Sequence, residues 1–414
     1  MNKKLVAVAI TGLLAAPLAQ AQTANVTLYG RLNVDFEFVN GKQVVPNGLN
    51  GVVQPAGCTS GTFANTTTTC QTFNPTQYRV SSNSTRFGLR GTESLGGGLN
   101  VVFQIENQFN PDTGTGSLAS RDTFLGFQGS WGLFRIGRFH APYDNIHEVW
   151  GSNPTLLTGI MATSSIWAQG FTSKATGGFD DRVCNSVRWD SPVMSGFQLQ
   201  IQYGAAGSQA NAQEGTTATQ SSNSGVWSGA IFYNNGPLVI GAGMQYNEQF
   251  RNRGLNDTAW SVTASYQFPK VKIGAVYEYL DYDCSVAVAG NAAVACNQVT
   301  GGFKTDLKRN FYGVGVTIDI GPGQLYADYS RGQDGTGSAP NGARVGGLTR
   351  GDSTGSNQYE VSYTYPLSKR TSVYAGYNKI SNDAFAAYNF GVNSYPIAIG
   401  GKPQGLVFGA WHNF

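Results

Sequence analysis

Apolar and polar residues alternate at every second position in many segments of this chain, each about ten residues long. From Val26 to Phe38 the even-numbered positions are apolar or glycine, and the odd-numbered positions are polar or tyrosine. The same alternation runs through 197–203, 260–268 and 358–365. Neighbouring side chains of an extended strand point to opposite faces, so this period predicts β-strands with one apolar and one polar face.

Sixteen such segments follow one another along the chain, and the connections between them alternate in length. Seven connections are tight, such as 94–97 and 366–370, and eight are mostly longer, such as 140–181. An even number of strands with short and long connections in turn is typical of outer-membrane β-barrels. The predicted segments are 25–39, 79–91, 98–109, 121–129, 133–139, 182–190, 196–206, 225–234, 237–249, 257–268, 271–282, 309–320, 323–331, 356–365, 371–381 and 404–414.

The length and polarity of these segments distinguish two kinds of β-protein. Soluble sandwiches also alternate, but a strand that crosses a bilayer at a tilt needs roughly 9–11 residues. Lipid offers the backbone no hydrogen-bond partners, so a sheet in a membrane must close on itself. The pattern therefore predicts an all-β, sixteen-stranded antiparallel transmembrane barrel, wide enough to hold a water channel, with short periplasmic turns and long external loops.

The first 21 residues have the features of a secretory signal peptide. Lys3 and Lys4 precede an apolar stretch from Leu5 to about Leu18, and 19–21 (Ala-Gln-Ala) form a cleavage site of small residues. The alternative, a membrane anchor, is disfavoured because the apolar part is too short. We expect residues 1–21 to be removed and 22–414 to form one barrel domain.

Composition supports an exported β-protein. Charged residues make up 12% of the chain, against about 25% in ordinary soluble domains, and 55 residues are glycine. The formal net charge is +3, and no basic patch indicates a nucleic-acid partner.

Four of the five cysteines lie in two long connections, twelve positions apart within each: Cys58 with Cys70, and Cys284 with Cys296. An oxidising compartment favours two loop-closing disulfides, and the competing metal site lacks histidines at ligand spacing. Cys184 is left over, and we expect it to be a small packed residue.

Residues for catalysis or cofactor binding are scarce. The three histidines are His140, His147 and His412, and no G-x-S-x-G elbow or Walker lysine pattern is present. His140 and His147 are seven apart without a third ligand nearby. The sequence predicts no enzyme, no cofactor and no metal.

Four motifs then suggest a family. STRFGLRGTESLGGGLNVVFQIENQ (84–108), LFRIGRFHAPYD (133–144), RVCNSVRWDSP (182–192) and GLVFGAWHNF (405–414) resemble the general trimeric porins of Gram-negative outer membranes. The resemblance runs from the leader to Phe414, which is similar to the family's C-terminal assembly signal. It implies an outer-membrane homotrimer surrounded by lipid and lipopolysaccharide, through which ions and small hydrophilic solutes diffuse passively.

The resemblance also implies a constriction. The third long loop, about 140–181, would fold into the barrel and face an arginine cluster on the wall. Its acidic candidates are Asp144, Glu148, Asp180 and Asp181, and the arginine candidates are Arg31, Arg86, Arg90, Arg121 and Arg182. Alternation independently places Arg31, Arg86 and Arg90 on the polar face, whereas Arg121 and Arg182 depend on the resemblance. Neither argument orients Arg135 or Arg138.

The resemblance is incomplete in the third loop, which lacks the Pro-Glu-Phe-Gly-Gly segment of enterobacterial members, so the sign of ion selectivity stays open. Arginines facing carboxylates would create a transverse field that disfavours apolar solutes. The alternative role is structural, in which the arginines pair with wall carboxylates such as Glu106. Two other functions compete with passive diffusion: uptake of one specific ligand, and a loop-presenting adhesin or anchor.

Overall fold

The architecture was obtained as a computed structural model that describes residues 25–42, 62–64, 70–72, 76–151, 153–154, 159–170, 172, 174–205, 224–251, 254–286, 296, 303–397 and 399–414. The expected leader, 1–21, lies outside these residues. In the described part no helix is long and apolar enough to cross a membrane.

Sixteen antiparallel strands form one closed sheet, which confirms the predicted fold. The first strand pairs with the last, from Arg31 opposite Asn413 to Lys42 opposite Lys402. The strands are β1 Asn25–Lys42, β2 in two pieces Gln77–Ser82 and Arg86–Gly96, β3 Leu99–Asn110, β4 Thr123–Gly129, β5 Gly132–His140, β6 Arg182–Asp190, β7 Phe197–Ala205, β8 Gly225–Asn235, β9 Leu238–Glu248, β10 Asn256–Gln267, β11 Val271–Val286, β12 Phe303–Ile320, β13 Gly323–Gly332, β14 Ser356–Pro366, β15 Thr371–Asn382 and β16 Lys402–Asn413.

The two faces of the sheet follow the alternation in the sequence. On β1, Leu28 and Phe36 are 60% and 40% exposed, whereas Asn33 and Glu37 are fully buried. Apolar side chains therefore cover the outside, where lipid replaces water, and polar side chains line the inside.

Strand β2 differs from the continuous segment that the sequence predicts. It is broken at 83–85, where Ser84 has a φ of 54°. The first piece pairs with the second half of β1, and the second piece pairs with its first half. Thr85 fills the gap, because its hydroxyl donates to the Asn33 carbonyl at 2.9 Å and accepts from the Asn33 N–H at 3.0 Å.

Strands β11 and β12 are longer than predicted, since the ladder continues to Val286 and back from Phe303. The added residues carry ion pairs, such as Lys304 Nζ to Asp283 Oδ2 at 2.8 Å, in place of an apolar face. Apolar alternation stops where the strands pass beyond the lipid, so it does not report this extension.

Smaller elements occupy the loops. Among the described residues these are strands Thr62–Ala64, Cys70–Thr72, Thr115–Ser117, Arg344–Val345 and Leu348–Thr349, helices α1 Pro142–Asn145 and α2 His147–Trp150, and 3-10 turns Gly159–Met161, Thr163–Ser165, Trp167–Gln169 and Lys174–Thr176.

Candidate functional site

The connection between β5 and β6 lies against the inner wall of the barrel. Tyr143 in α1 donates its hydroxyl to Glu278 Oε1 at 2.7 Å, and the Ala168 N–H donates to the same oxygen at 2.9 Å. Glu278 is on β11 and also pairs with Arg309 Nη2 on β12 at 2.8 Å; both charged side chains are fully buried. One buried ion pair thus holds two distant parts of the loop.

Glycines on the wall make room for this loop. A Cβ added to Gly274 on β11 would lie 2.6 Å from the Trp150 carbonyl oxygen, and one on Gly313 on β12 would lie 2.9 Å from the Trp150 ring. No side chain fits at such distances, so these two positions require glycine because the loop backbone and ring approach the wall so closely.

Beyond Trp150 the loop continues across β14 and β15. Gln358 Nε2 on β14 donates to the Ala162 carbonyl at 2.9 Å, and Asn378 Nδ2 on β15 donates to the Ile160 carbonyl. Trp167 stacks between Tyr143 and His147, with ring centroids 5.3 and 5.0 Å apart.

The imidazole in this aromatic stack, His147, is neutral. Burial lowers the pKa of His147 to about 3, and its Nε2 lies 2.8 Å from the Thr163 hydroxyl. An imidazole held neutral here packs as an aromatic side chain.

Arginines converge on the inner wall at the opposite side of the barrel. Arg31 on β1 is directly opposite Arg86 on β2 in the ladder. Glu106 on β3 contacts two arginines. Its Oε2 is 3.7 Å from Arg86 Nε, and its Oε1 is 2.5 Å from Arg121 Nε. Arg182 Nε, the first residue of β6, is 2.6 Å from Asp122 Oδ1.

Mutual charge effects indicate that these groups share one electrostatic environment. Burial, followed by the charges of Arg182 and Arg86, lowers the pKa of Arg121 to about 10, so it is still charged at neutral pH. Burial opposes ionisation of Asp122, yet His140, Arg182 and Arg121 together lower its pKa to about 2. In this cluster four guanidinium groups face two carboxylates, leaving a formal excess of two positive charges.

Arg90, the fifth arginine candidate, stands apart from the cluster. It is exposed, lies four residues further along β2 than Arg86, and places its guanidinium 4.9 Å from the centre of the Tyr29 ring.

Three more arginines extend the basic wall: Arg188, which sequence reasoning missed, and Arg135 and Arg138, which it did not orient. Arg135 on β5 and Arg188 on β6 both pair with Asp190, at 2.5 and 2.7 Å. Arg138 instead donates to the Cys184 sulfur at 2.5 Å. The ladder between β5 and β6 shifts register between Val183 and Ser186, and an irregularity of that kind is invisible to a period-two pattern.

The acidic candidates of the third loop occupy different environments. Burial and then the neighbouring Asp180 raise the pKa of Asp144 well above its ordinary value, and burial raises the pKa of Asp180. Asp181 accepts from Lys174 Nζ at 3.0 Å, and Glu148 is exposed. Of the four, Asp144 is the one whose surroundings most clearly favour the neutral carboxyl.

A disulfide joins Cys284 at the end of β11 to Cys296, with Cα atoms 4.4 Å apart. The second predicted pair involves Cys58, which lies outside the described residues. Phe414 exchanges two backbone hydrogen bonds with Gly30, at 3.0 and 3.1 Å, and its ring covers that glycine.

No group of three or more His, Cys, Asp or Glu side chains gathers as a metal site in the described ranges. The arrangement holds fixed charges on one wall and a packed loop on the other, and its chemistry is electrostatic.

Comparison with known proteins gives consistent results. The profile of a family described as Gram-negative porin matches residues 5–384. An outer membrane porin protein of Bordetella pertussis is 27% identical, covering 93% of this chain and 96% of its own length. Outer membrane porin protein 32 of Delftia acidovorans is 24% identical over the full length of both chains.

Solved structures share the fold. An anion-selective porin from Comamonas acidovorans superposes with a TM-score of 0.65 at 21% identity, covering 94% of this chain and all of the other. A trimer form of OmpT from Vibrio cholerae gives 0.60 at 14% identity, covering 95% and 100%.

Proposed function

The chain belongs to the Gram-negative porin family, and from that premise we propose that its third loop and its arginine cluster together form the constriction of the pore. The protein is an outer-membrane channel and not an enzyme. Passive diffusion of ions and small hydrophilic solutes through the barrel is the function that the site supports best.

The observation that carries the proposal is the position of the two parts. Loop residues from Tyr143 to Ala168 pack on the wall from β8 to β16, whereas the arginines project from β1, β2 and β6 and from the connection before β4. A solute that passes between them meets water-facing guanidinium groups on one side and the loop on the other.

The excess positive charge of the cluster supports a preference for anions. Guanidinium groups keep their charge at every relevant pH, and charge at a narrow point biases ion selectivity. The raised pKa of Asp144 favours its neutral form, so the loop contributes less negative charge than its sequence implies. The structural neighbour described as anion-selective agrees with this preference.

Two further expectations are part of the proposal. Residues 1–21 act as a cleaved leader and 22–414 form the mature barrel. The assembly is a homotrimer in contact with lipopolysaccharide, in line with the trimer form of the Vibrio cholerae neighbour.

The test is charge reversal at the constriction. In planar bilayers under a salt gradient, Arg86→Glu combined with Arg121→Glu should shift the reversal potential toward cation preference. Lys369→Glu with Arg370→Glu, in an exposed turn, changes the net charge equally and serves as the control. If both double variants give the reversal potential of the unmodified protein, the arginine constriction is wrong.

Single-channel recordings also separate the competing functions. Large, weakly selective conductance steps in groups of three agree with a trimeric diffusion channel. Block by a low concentration of one solute would indicate specific uptake, and a closed barrel would indicate an adhesin or anchor.

A further inference from the structure

A second charged group lies on the inner face of β13 and β14, away from the arginine cluster. Asp328 and Glu360 are direct partners in the antiparallel ladder. Their side chains share the inner face and are 6% and 4% exposed. Direct cross-strand partners place their Cβ atoms about 4.5–5.5 Å apart, a spacing at which like charges destabilise a sheet.

The oxygens of these carboxylates are largely without partners in the described part of the chain. From the described residues, neither oxygen of Asp328 accepts a hydrogen bond, nor does Oε2 of Glu360. Glu360 Oε1 accepts from Asn153 Nδ2 of the third loop. A buried carboxylate without a hydrogen bond or counter-charge is strongly unfavourable, so a compensating group is required.

Neutral oxygens surround the same pair. Ser330 and Gln358 are the next cross-strand partners on this face, and both are fully buried. Within the described ranges, the Ser330 hydroxyl, the Gln358 carbonyl oxygen and the Tyr326 hydroxyl also lack partners. Diagonal neighbours on one face lie about 7–8 Å apart, within reach of long side chains.

We propose that Asp328 and Glu360, completed by the oxygens of Ser330 and Gln358, bind one hard divalent cation of the Ca²⁺ class behind the third loop. Ca²⁺ takes six to eight oxygen ligands from carboxylates, amide carbonyls, hydroxyls and water, in flexible geometry. Two carboxylates match its charge, and the uncharged oxygens explain why no group of three acidic side chains is needed.

The cation would also fasten the third loop to the wall. Glu360 holds Asn153, and the Gln358 amide group donates to the Ala162 carbonyl at 2.9 Å. Fixing both side chains on a cation orders the donors and acceptors that receive the loop. The site stands apart from the arginines, so it does not depend on the proposed ion preference.

The experiment uses full-length protein refolded in detergent without lipopolysaccharide and freed of metal with a chelator. Ca²⁺ is titrated by calorimetry, and Tb³⁺ luminescence is excited through tryptophan, since Trp150 lies beside Gly313 next to this face. We expect one Ca²⁺ per chain in the unmodified protein. Asp328→Asn and Glu360→Gln should each weaken that binding by at least about tenfold.

Asp319→Asn is the matched control, because Asp319 is exposed at the far end of β12 and should leave binding unchanged. Both test variants remove charge without changing volume, and circular dichroism with thermal unfolding in chelator establishes that they fold. The unmodified barrel and the control should gain thermal stability from Ca²⁺, and the test variants should not. Absence of binding, equal binding in all variants, or stabilisation by acid alone without Ca²⁺ overturns the proposal and favours a proton as the compensating group.

Discussion

The two halves of the inner wall differ in how far their ionisable groups are exposed to water. Around β1 to β6 the four clustered arginines, Arg31, Arg86, Arg121 and Arg182, are partly exposed, and Glu106 and Asp122 neutralise only some of their charge. Around β11 to β14 the charged groups Glu278, Arg309 and Asp328 are buried beneath the third loop.

This difference shows that one polar face can serve two purposes. Where no loop covers it, the face keeps its charges in contact with water and with solutes. Where the loop packs, the same pattern of inward polar residues becomes a binding surface for backbone and ring groups. The following substitutions test that division, from the largest expected effect to the smallest.

The largest loss of stability is expected when the buried carboxylate of Glu278 is removed. Glu278→Ala leaves Arg309 buried without its partner and removes the acceptor of Tyr143 and Ala168. We expect a loss of about 3–5 kcal/mol in the free energy of unfolding, together with noisier, larger conductance as the loop loosens. Urea unfolding in detergent and single-channel recording measure the two effects.

The double variant Glu278→Leu with Arg309→Met is the control for that loss. Because it removes both charges, it should recover most of the stability. A single variant as stable as the unmodified protein would show that the loop is held elsewhere.

A larger side chain at Gly274 or Gly313, the wall glycines that contact Trp150, should push the third loop away from the wall. Gly274→Val places methyl groups where the Trp150 backbone now lies, and overpacking of this kind costs about 1–3 kcal/mol. Gly229→Val on β8, where an added Cβ would meet only the Gln200 carbonyl at 3.6 Å, tests the general effect of losing a glycine. Higher conductance in the first variant only is the expected result, and equal conductance in both would contradict it.

Titration of Asp144 should make the free energy of unfolding depend on pH. Its raised pKa means that the folded state favours the protonated form, so this contribution is complete below the ordinary Asp pKa near 3.9 and is lost as pH rises through the raised value. As pH rises above about 4, Asp144→Asn should therefore lose stability less steeply than the unmodified protein. Urea midpoints across that range test this, and parallel curves would argue against a protonated Asp144.

The smallest effect is expected at the edge of the exposed wall. Arg90 contacts the Tyr29 ring and stands outside the four-arginine cluster, so Arg90→Gln should change stability by less than about 1 kcal/mol. Its reversal potential should move far less than that of the constriction double variant. A shift of equal size would extend the cluster toward the periplasmic end.

Period-two alternation predicted the strands because lipid and water sort side chains at every position of a crossing segment. It placed Arg31 and Arg86 on the inner face for the same reason. It could not orient Arg135 and Arg138, because they lie three positions apart on one strand and so fall in opposite phases of a period-two pattern.

The sequence pattern also could not predict which half of the inner wall the third loop covers. Asp328 and Glu360 alternate with apolar residues as water-facing groups do, yet both are buried, and Glu360 accepts a hydrogen bond from Asn153 of the loop. Whether an inward polar residue meets water or a loop depends on the path of residues far away along the chain, and local periodicity carries no information about that path.

The seam between β1 and β16 has a consequence for biogenesis. Gln404 donates to Asn40 across 364 positions of sequence, and the ladder around them cannot form until every intervening hairpin is in order. Contacts of such high separation fold slowly. Until that step the chain has two unpaired strand edges and an exposed apolar surface. We therefore expect it to need a chaperone in the periplasm before it inserts into the membrane.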